Sequence, residues 1–405
     1  MRRAGSRKLK VCVMTGARSE YGLLYHLLKA LRDDAGVELQ LIVAGSHLSR
    51  EFGFTYREIE KDGLVIGSKI KFPLKTDTSL SSACAFSICV RRMAEELERL
   101  RPDVMVVYSD RYEMLAAASA AMLMQVPMAH IGGGEVTEGV IDDSVRHSIT
   151  KMAHLHLVTA QPYADRVIQL GESPERVHVV GTPGLDHLAR LNLMGREALE
   201  GEIGFRFREI NFLVTYHPET AGPAGDQATA CGELLAALDE FKDAGIIFTR
   251  SNPDAGNARI WKKILQYEKK HASRVKTYLS LGQLKYLSVM NQCVAVIGNS
   301  SSGIVEAPAL KKASVNIGRR QDGRLMADSI IPCSCNKLAI KKAIEKALSR
   351  PFQSRLASVQ SLYGMGKASE KIAALIKSSD WAALRTKKFF DLPRANPVLS
   401  EAAIS

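Results

Sequence analysis

Between residues 129 and 147 the chain reads AHIGGGEVTEGVIDDSVRH, with four glycines, four carboxylates and two histidines. Consecutive glycines let a backbone come close to a ligand. Carboxylates held in one cleft push each other's proton affinities apart, leaving one acid and one base. Glu135 follows the glycines directly, and upstream the stretch YSDRYE sets Asp110 beside Arg111. Both carboxylates are expected at the ends of neighbouring strands, which makes them the best acid–base pair in the chain. Asp142 and Asp143 open the next helix ahead of Arg146 and His147, and two roles stay open for them: helix cap, or a share in proton transfer. Two roles are likewise open at Asp110–Arg111. Either the arginine clamps a diphosphate with paired N–H donors while its neighbour moves a proton, or Asp110 caps a helix and Arg111 is solvated.

Groups able to grip an anion recur along the chain. TGARSEYG offers a helix start with Arg18, and TYHPET places His217 just after a strand. RSNPDAGN supplies Arg250, Asn252 and Asp254. GNSSSGIVEAP sets three hydroxyls, Ser300 to Ser302, at a strand-to-helix turn suited to a pyrophosphate. One turn on, Glu306 can accept from both hydroxyls of a ribose. GRRQDGR carries Arg319, Arg320 and Arg324 on one loop. Each stretch alone also reads as an ordinary solvated turn; together they put polar groups at the strand ends of both halves. None is a Walker loop or a G-x-G-x-x-G fingerprint.

Such positions need strands that end in a common place. KVCVMTG, VELQLIVAG, DVMVVYSD, MAHIGGG, LHLVTA and RVHVVGTP read as buried strands alternating with amphipathic helices, among them Leu23, Leu24, Leu27, Leu28 and Leu31 at helical spacing. The pattern then restarts with NFLVTYHPE, GIIFTRSN, VKTYLSL, VAVIGNSSSG and KASVNIG. The expectation is an α/β protein of two Rossmann-like doubly wound domains facing across a cleft, with ligands beyond the carboxyl ends of the strands. The first domain is assigned to residues 1–188 with the carboxylates, the second to 189–380 with the anion site, and 381–405 to a C-terminal tail.

The bulk numbers agree with this. A chain of 405 residues with 46% hydrophobic and 24% charged residues has material for two cores. No apolar run is long enough to span a bilayer or to serve as an export signal, and seven scattered cysteines read as reduced thiols, so a cytoplasmic protein is expected. The net charge of +12 admits nucleic acid, but the lysines and arginines are dispersed and no aromatic-interleaved basic motif occurs; neither nucleic acid nor membrane is expected as a partner.

The ordered set GARSEYGLL, SDRYE, GGEVTEGVIDDSVRHSITKMAHLH, HPET, GNSSSGIVEAP and NIGRRQDGR, spread over residues 8–390, resembles the hydrolysing UDP-N-acetylglucosamine 2-epimerases, which make N-acetylmannosamine for sialic acids. The resemblance implies the glycosyltransferase-B fold. It places UDP on Arg18, Arg111, His217, Asn252, Ser300, Ser301, Glu306 and Arg320, and catalysis on Asp110, Glu135, Asp142, Asp143 and His217. It implies elimination of UDP to a 2-acetamidoglycal followed by hydration, with no cofactor and no metal, in a homodimer or homotetramer. Gly132 stands where members of the family often carry a carboxylate. Either Glu135, which matches a second glutamate common among them, takes over that acid–base task, or the task has moved elsewhere. The same motifs fit relatives acting on UDP-2,4-diacetamido-2,4,6-trideoxyglucose in legionaminic acid synthesis, or on a GDP-linked sugar. A glycosyltransferase on the same scaffold is the competing class.

Overall fold

Strand runs that are apolar on both sides must be covered on both faces, and the structure does this twice. It is a computed structural model that describes residues 7–50, 53–72, 79–108, 110–137, 141–218, 227–250 and 257–393. The first sheet holds β1 (Leu9–Thr15), β2 (Val37–Ala44), β3 (Ile66–Ile70), β4 (Val104–Tyr108), β5 (Met128–Ile131), β6 (Leu155–Val158) and β7 (Val177–Val179). The second holds β8 (Asn211–Thr215), β9 (Gly245–Thr249), β10 (Val275–Tyr278), β11 (Ala295–Gly298), β12 (Ala313–Ile317) and β13 (Ile330–Cys333). The orders are β3-β2-β1-β4-β5-β6-β7 and β10-β9-β8-β11-β12-β13, with every neighbouring pair parallel. In both sheets the order reverses beside the first strand, between β1 and β4 and between β8 and β11. Loops leaving those strands part there and open a crevice. Two facing α/β domains result, as the alternation of strand and helix predicts.

The edge strands β3 and β13 escape the sequence pattern. Residues 66–70 are mostly accessible, and β13 carries Pro332, which has no N–H to give a ladder. Edges need no two-sided apolar run, so they leave a weak signal.

Helix Arg18–Arg32 buries Leu24, Leu27, Leu28 and Leu31 completely against the first sheet. The same core receives Ile372, Ile376 and Trp381 from helices Ala368–Ser378 and Trp381–Leu384, so the chain returns to the first domain after finishing the second. The sequence pattern alone assigns residues 189–380 to the second domain. An eleven-residue amphipathic helix carries no local mark of which sheet it covers. The crossing is pinned at Asp186, fully buried, whose carboxylate accepts the N–H groups of Ala368 and Ser369 at 2.7 and 2.6 Å. Among the described residues no helix is long and apolar enough to cross a membrane.

A second lock holds the segment beyond these helices. Lys387 reaches Glu172 at 2.9 Å, and Glu172, 1% exposed, also accepts from Lys151 at 2.6 Å and meets Nε2 of buried His156 at 2.9 Å. Burial alone would raise the Glu172 carboxyl, but the donors of His156, Lys151 and Lys387 outweigh it and hold it at about 2. A carboxyl lowered by folding stabilises the fold fully above its ordinary value of 4.5, and that stabilisation drains away as pH falls toward 2. Glu172→Gln is therefore expected to flatten the loss of urea stability between pH 5 and about pH 2. Glu172→Ala, which strands the cations, is expected to cost roughly 3–5 kcal/mol at neutral pH. Unchanged acid sensitivity in the Gln variant would show the network to be inert.

Candidate active site

The carboxyl end of β4 delivers Asp110, and Arg111 begins helix Tyr112–Leu123. The carboxyl end of β5 runs into Gly132–Gly134 and then Glu135. Gly134 has φ +79, and a Cβ there would lie 2.3 Å from the Tyr163 carbonyl oxygen, so only glycine lets this loop rest on helix Gln161–Gln169. Arg166 of that helix donates to the Gly134 carbonyl, and the Thr159 hydroxyl donates to Glu135 at 3.0 Å.

One guanidinium organises these loops. Arg146, on helix Ile141–Met152 and 2% exposed, pairs with Asp110. It also donates to the Thr137 hydroxyl at 2.7 Å, the Glu135 carbonyl at 2.8 Å and Asp143 at 3.2 Å. Asp143 in turn accepts the Thr137 N–H at 2.8 Å and lies 3.5 Å from Nε2 of His147. The aspartate pair thus separates: Asp143 ties the loop to its helix, while half-buried Asp142 sits in the first turn.

Arg111 rests on Glu113, 3.1 Å away and buried. Close by, burial pushes the Glu20 carboxyl up to about 7 against the pull of Arg111, with the charge of Glu113 adding to the rise. Glu20 accepts the Gly16 N–H at 2.7 Å. Arg18 reaches across the domains to the Ser280 hydroxyl at 3.1 Å, and pairs with Glu58 at 3.1 Å.

In the second domain the strand ends are tied together by Asn299. Gly298 has φ +136, and a Cβ there would sit 2.0 Å from the Thr215 carbonyl oxygen, so β11 turns hard against β8. The Asn299 side chain then accepts the His217 N–H at 2.7 Å and donates to its carbonyl at 2.9 Å. The Asn299 carbonyl accepts from Arg320 at 3.1 Å and Gln321 at 2.9 Å. His217, Asn299 and Arg320 therefore form one floor. Ser300 and Ser301 lead into helix Ser302–Ala309, whose first two amides are met by Ser300: the Ser302 N–H by its hydroxyl at 3.4 Å and the Gly303 N–H by its carbonyl at 3.1 Å. Within that helix burial pushes the Glu306 carboxyl up to about 7, although the Ser302 hydroxyl favours the ionised form. Asn252 lies outside the described residues.

The three arginines of the loop after β12 part company. Arg319 is exposed on Asp322, Arg320 joins the floor, and Arg324 crosses to the first domain, its Nη2 3.7 Å from Glu135. Asp110 and Glu135 both lie in the field of Arg324. The acids of one domain and the cations of the other thus share one cleft. Tyr108, at the end of β4, faces the same group: burial raises its hydroxyl, and the charges of Glu135 and Asp110 raise it further. At Gly132 the backbone is left-handed, with φ +84, and a side chain would point toward the Tyr108 ring, whose Cε2 lies 4.0 Å from a Cβ built there.

Sequence reading does not single out Asn299, Arg146 or Arg324 for these tasks. Each sits in a quoted motif, yet each acts through partners far away in the chain.

A profile of the UDP-N-acetylglucosamine 2-epimerase family matches residues 29–377. The chain belongs to this family. It is 40% identical, over 85% of its own length and 89% of the relative's, to a protein of Campylobacter jejuni named GDP/UDP-N,N'-diacetylbacillosamine 2-epimerase (hydrolyzing). It is 34% identical, over 95% and 98% of the two chains, to polysialic acid biosynthesis protein P7 of Escherichia coli. The fold is shared with the Neisseria meningitidis UDP-GlcNAc 2-epimerase solved bound to UDP-GlcNAc. The TM-score is 0.77 at 16% identity, covering 92% of this chain and all of that one.

Because Arg146 is buried on four partners from three segments, Arg146→Met is expected to cost roughly 3–5 kcal/mol in urea unfolding, by leaving Asp110 and Asp143 without their cation. A loss under 1 kcal/mol, the scale of an exposed ion pair, would deny it this organising role.

Proposed function

We propose that this family member is a hydrolysing 2-epimerase of a 2-acetamido nucleotide sugar. The observation that carries the reading is the contact of Glu135 with Arg324, where Arg146 ties the Glu135 loop to Asp110 and the Arg324 loop also supplies Arg320 to the floor of the second domain. Epimerisation at C2 moves two protons on opposite faces of the sugar while a diphosphate departs from C1. It therefore wants two carboxylates on one side of the bond and fixed positive charge on the other.

In the proposed sequence a carboxylate takes the C2 proton as the C1–O bond breaks and the nucleoside diphosphate leaves, giving a 2-acetamidoglycal. Water adds at C1 and a proton returns to C2 from the other face, so the products are the free 2-epimeric sugar and the nucleotide. Asp110 and Glu135 are the proton carriers, and Asp142, in the first turn of the next helix, shares the task. Asp143 contributes by anchoring the loop through Thr137 and Arg146. His217, Ser300, Ser301, Glu306 and Arg320 hold the nucleotide, together with Asn252. Arg18 and Arg111 meet the diphosphate from the first domain, Arg111 exchanging Glu113 for phosphate oxygens.

For the sugar, the name of the relative at 40% identity puts UDP- or GDP-linked 2,4-diacetamido-2,4,6-trideoxyglucose first, ahead of the UDP-N-acetylglucosamine that the sequence motifs suggest. The family's own name keeps UDP-N-acetylglucosamine as the second reading. Incubation with each nucleotide sugar in heavy water tests this. The expected result is free nucleotide plus a 2-epimeric free sugar carrying one deuterium at C2, with no acceptor added. Sugar transfer only to an added acceptor would instead support a glycosyltransferase.

Two substitutions separate the roles. Asp110→Asn is expected to abolish turnover while UDP still binds, since it removes a proton carrier and leaves the phosphate grip in place. Arg111→Ala is expected to weaken UDP binding by calorimetry about tenfold, the scale of one charge-assisted contact. Near-normal turnover in the first, or unchanged affinity in the second, would count against these assignments.

A further inference from the structure

The Arg324 backbone is held with unusual care for a residue in a connecting loop. The next residue, Leu325, donates its N–H to the Tyr163 hydroxyl at 3.2 Å, and its carbonyl accepts from the Tyr363 hydroxyl at 3.1 Å. The two hydroxyls lie 3.1 Å apart, and both side chains are buried. Tyr163 belongs to the helix on which the Gly134–Glu135 loop rests, so closely that a Cβ on Gly134 would lie 2.3 Å from the Tyr163 carbonyl oxygen. A single rigid element therefore sets both the carboxylate loop of the first domain and the arginine loop of the second.

The Arg324 side chain projects from this clamp to Glu135 at 3.7 Å, with only 16% of it exposed. Its Nε is buried and meets no hydrogen-bond acceptor among the described residues. A guanidinium has five N–H donors in a planar fork. One edge faces Glu135, in a field that also contains Asp110 and Glu306 from the two sides of the cleft. A structural arginine in such a place would satisfy its donors on backbone carbonyls, as Arg146 does on Glu135.

We propose that Arg324 is a positioning residue of the reaction centre, which orients the Glu135 carboxylate from the opposite domain and balances its charge while the anionic nucleotide is bound. Two carboxylates beside a departing diphosphate gather negative charge, and one buried cation on the far side of the cleft offsets it. The arrangement makes proton transfer dependent on the two domains being correctly seated, because Tyr163 and Tyr363 fix that seating. This role rests on the proposed epimerase activity.

The test compares wild-type protein with Arg324→Gln, Arg324→Lys and Tyr363→Phe, measuring nucleotide release from the nucleotide sugar, UDP affinity by calorimetry, and thermal unfolding. Removing one preorganised charged donor is expected to lower kcat about 100-fold in Arg324→Gln, with KM and UDP affinity within about threefold of wild type. Arg324→Lys keeps the charge and is expected to recover about tenfold of the loss. Tyr363→Phe frees the Leu325 carbonyl and is expected to lower kcat about threefold to tenfold without changing UDP affinity. Wild-type kcat in Arg324→Gln would overturn the inference. So would a loss appearing only in KM and UDP affinity, or one tracking a collapse in thermal stability that Lys fails to rescue. If wild-type protein releases nucleotide from none of the sugars, the epimerase reading itself fails, and this role falls with it.

Discussion

The buried guanidinium of Arg146 is the interaction on which the rest of the site depends. Carboxylates at adjacent strand ends repel one another, and without a cation between them the loops that carry them would splay. Arg146 pairs with Asp110, takes the Glu135 carbonyl, and shares Thr137 with Asp143, so that the ends of β4 and β5 and the following helix form one body. Its burial makes the arrangement stiff, because every partner lost would leave a charge in a poorly solvated place. The acids can then sit close together in a chain whose overall charge is strongly positive.

The second domain solves a different problem with the same sheet topology. Its strand ends carry mostly neutral and cationic groups, and here an amide does the tying. Asn299 satisfies both backbone groups of His217 and, through its carbonyl, orients Arg320 and Gln321. Gly298 is what allows this, since any side chain there would strike β8. Reversal of strand order in each sheet opens each crevice at the same relative place, and the two crevices face each other across the junction.

That junction is built from few but specific contacts. Helix Gln161–Gln169 of the first domain joins the second domain's core through Tyr163, and the chain's return through Asp186 to helix Ala368–Ser378 straps the halves together. Arg18 donating to Ser280, Arg324 beside Glu135 and the Tyr163 hydroxyl on Leu325 and Tyr363 are polar contacts across the junction. Domain geometry and site chemistry are therefore set by the same residues. A shift of about 1 Å between the domains would be felt by the carboxylates directly.

Much of this was legible in the residues themselves. Two-sided apolar strands alternating with amphipathic helices specify two parallel sheets, because each run must be covered on both faces, and the polar residues directly after those strands mark the carboxyl ends where ligands sit. Asp110, Glu135 and His217 could be named on that ground alone, and the three arginines of the GRRQDGR loop as a group. What the linear pattern could not supply were choices made between distant segments: which of Arg319, Arg320 and Arg324 is solvated and which crosses the cleft, which aspartate of the 142–143 pair anchors the loop, and which sheet the helix at 368–378 covers. Local sequence sets periodicity and turn chemistry over a few residues, whereas the partner of a charged side chain is selected by the packing of distant elements, as Lys387 meets Glu172 across 215 residues.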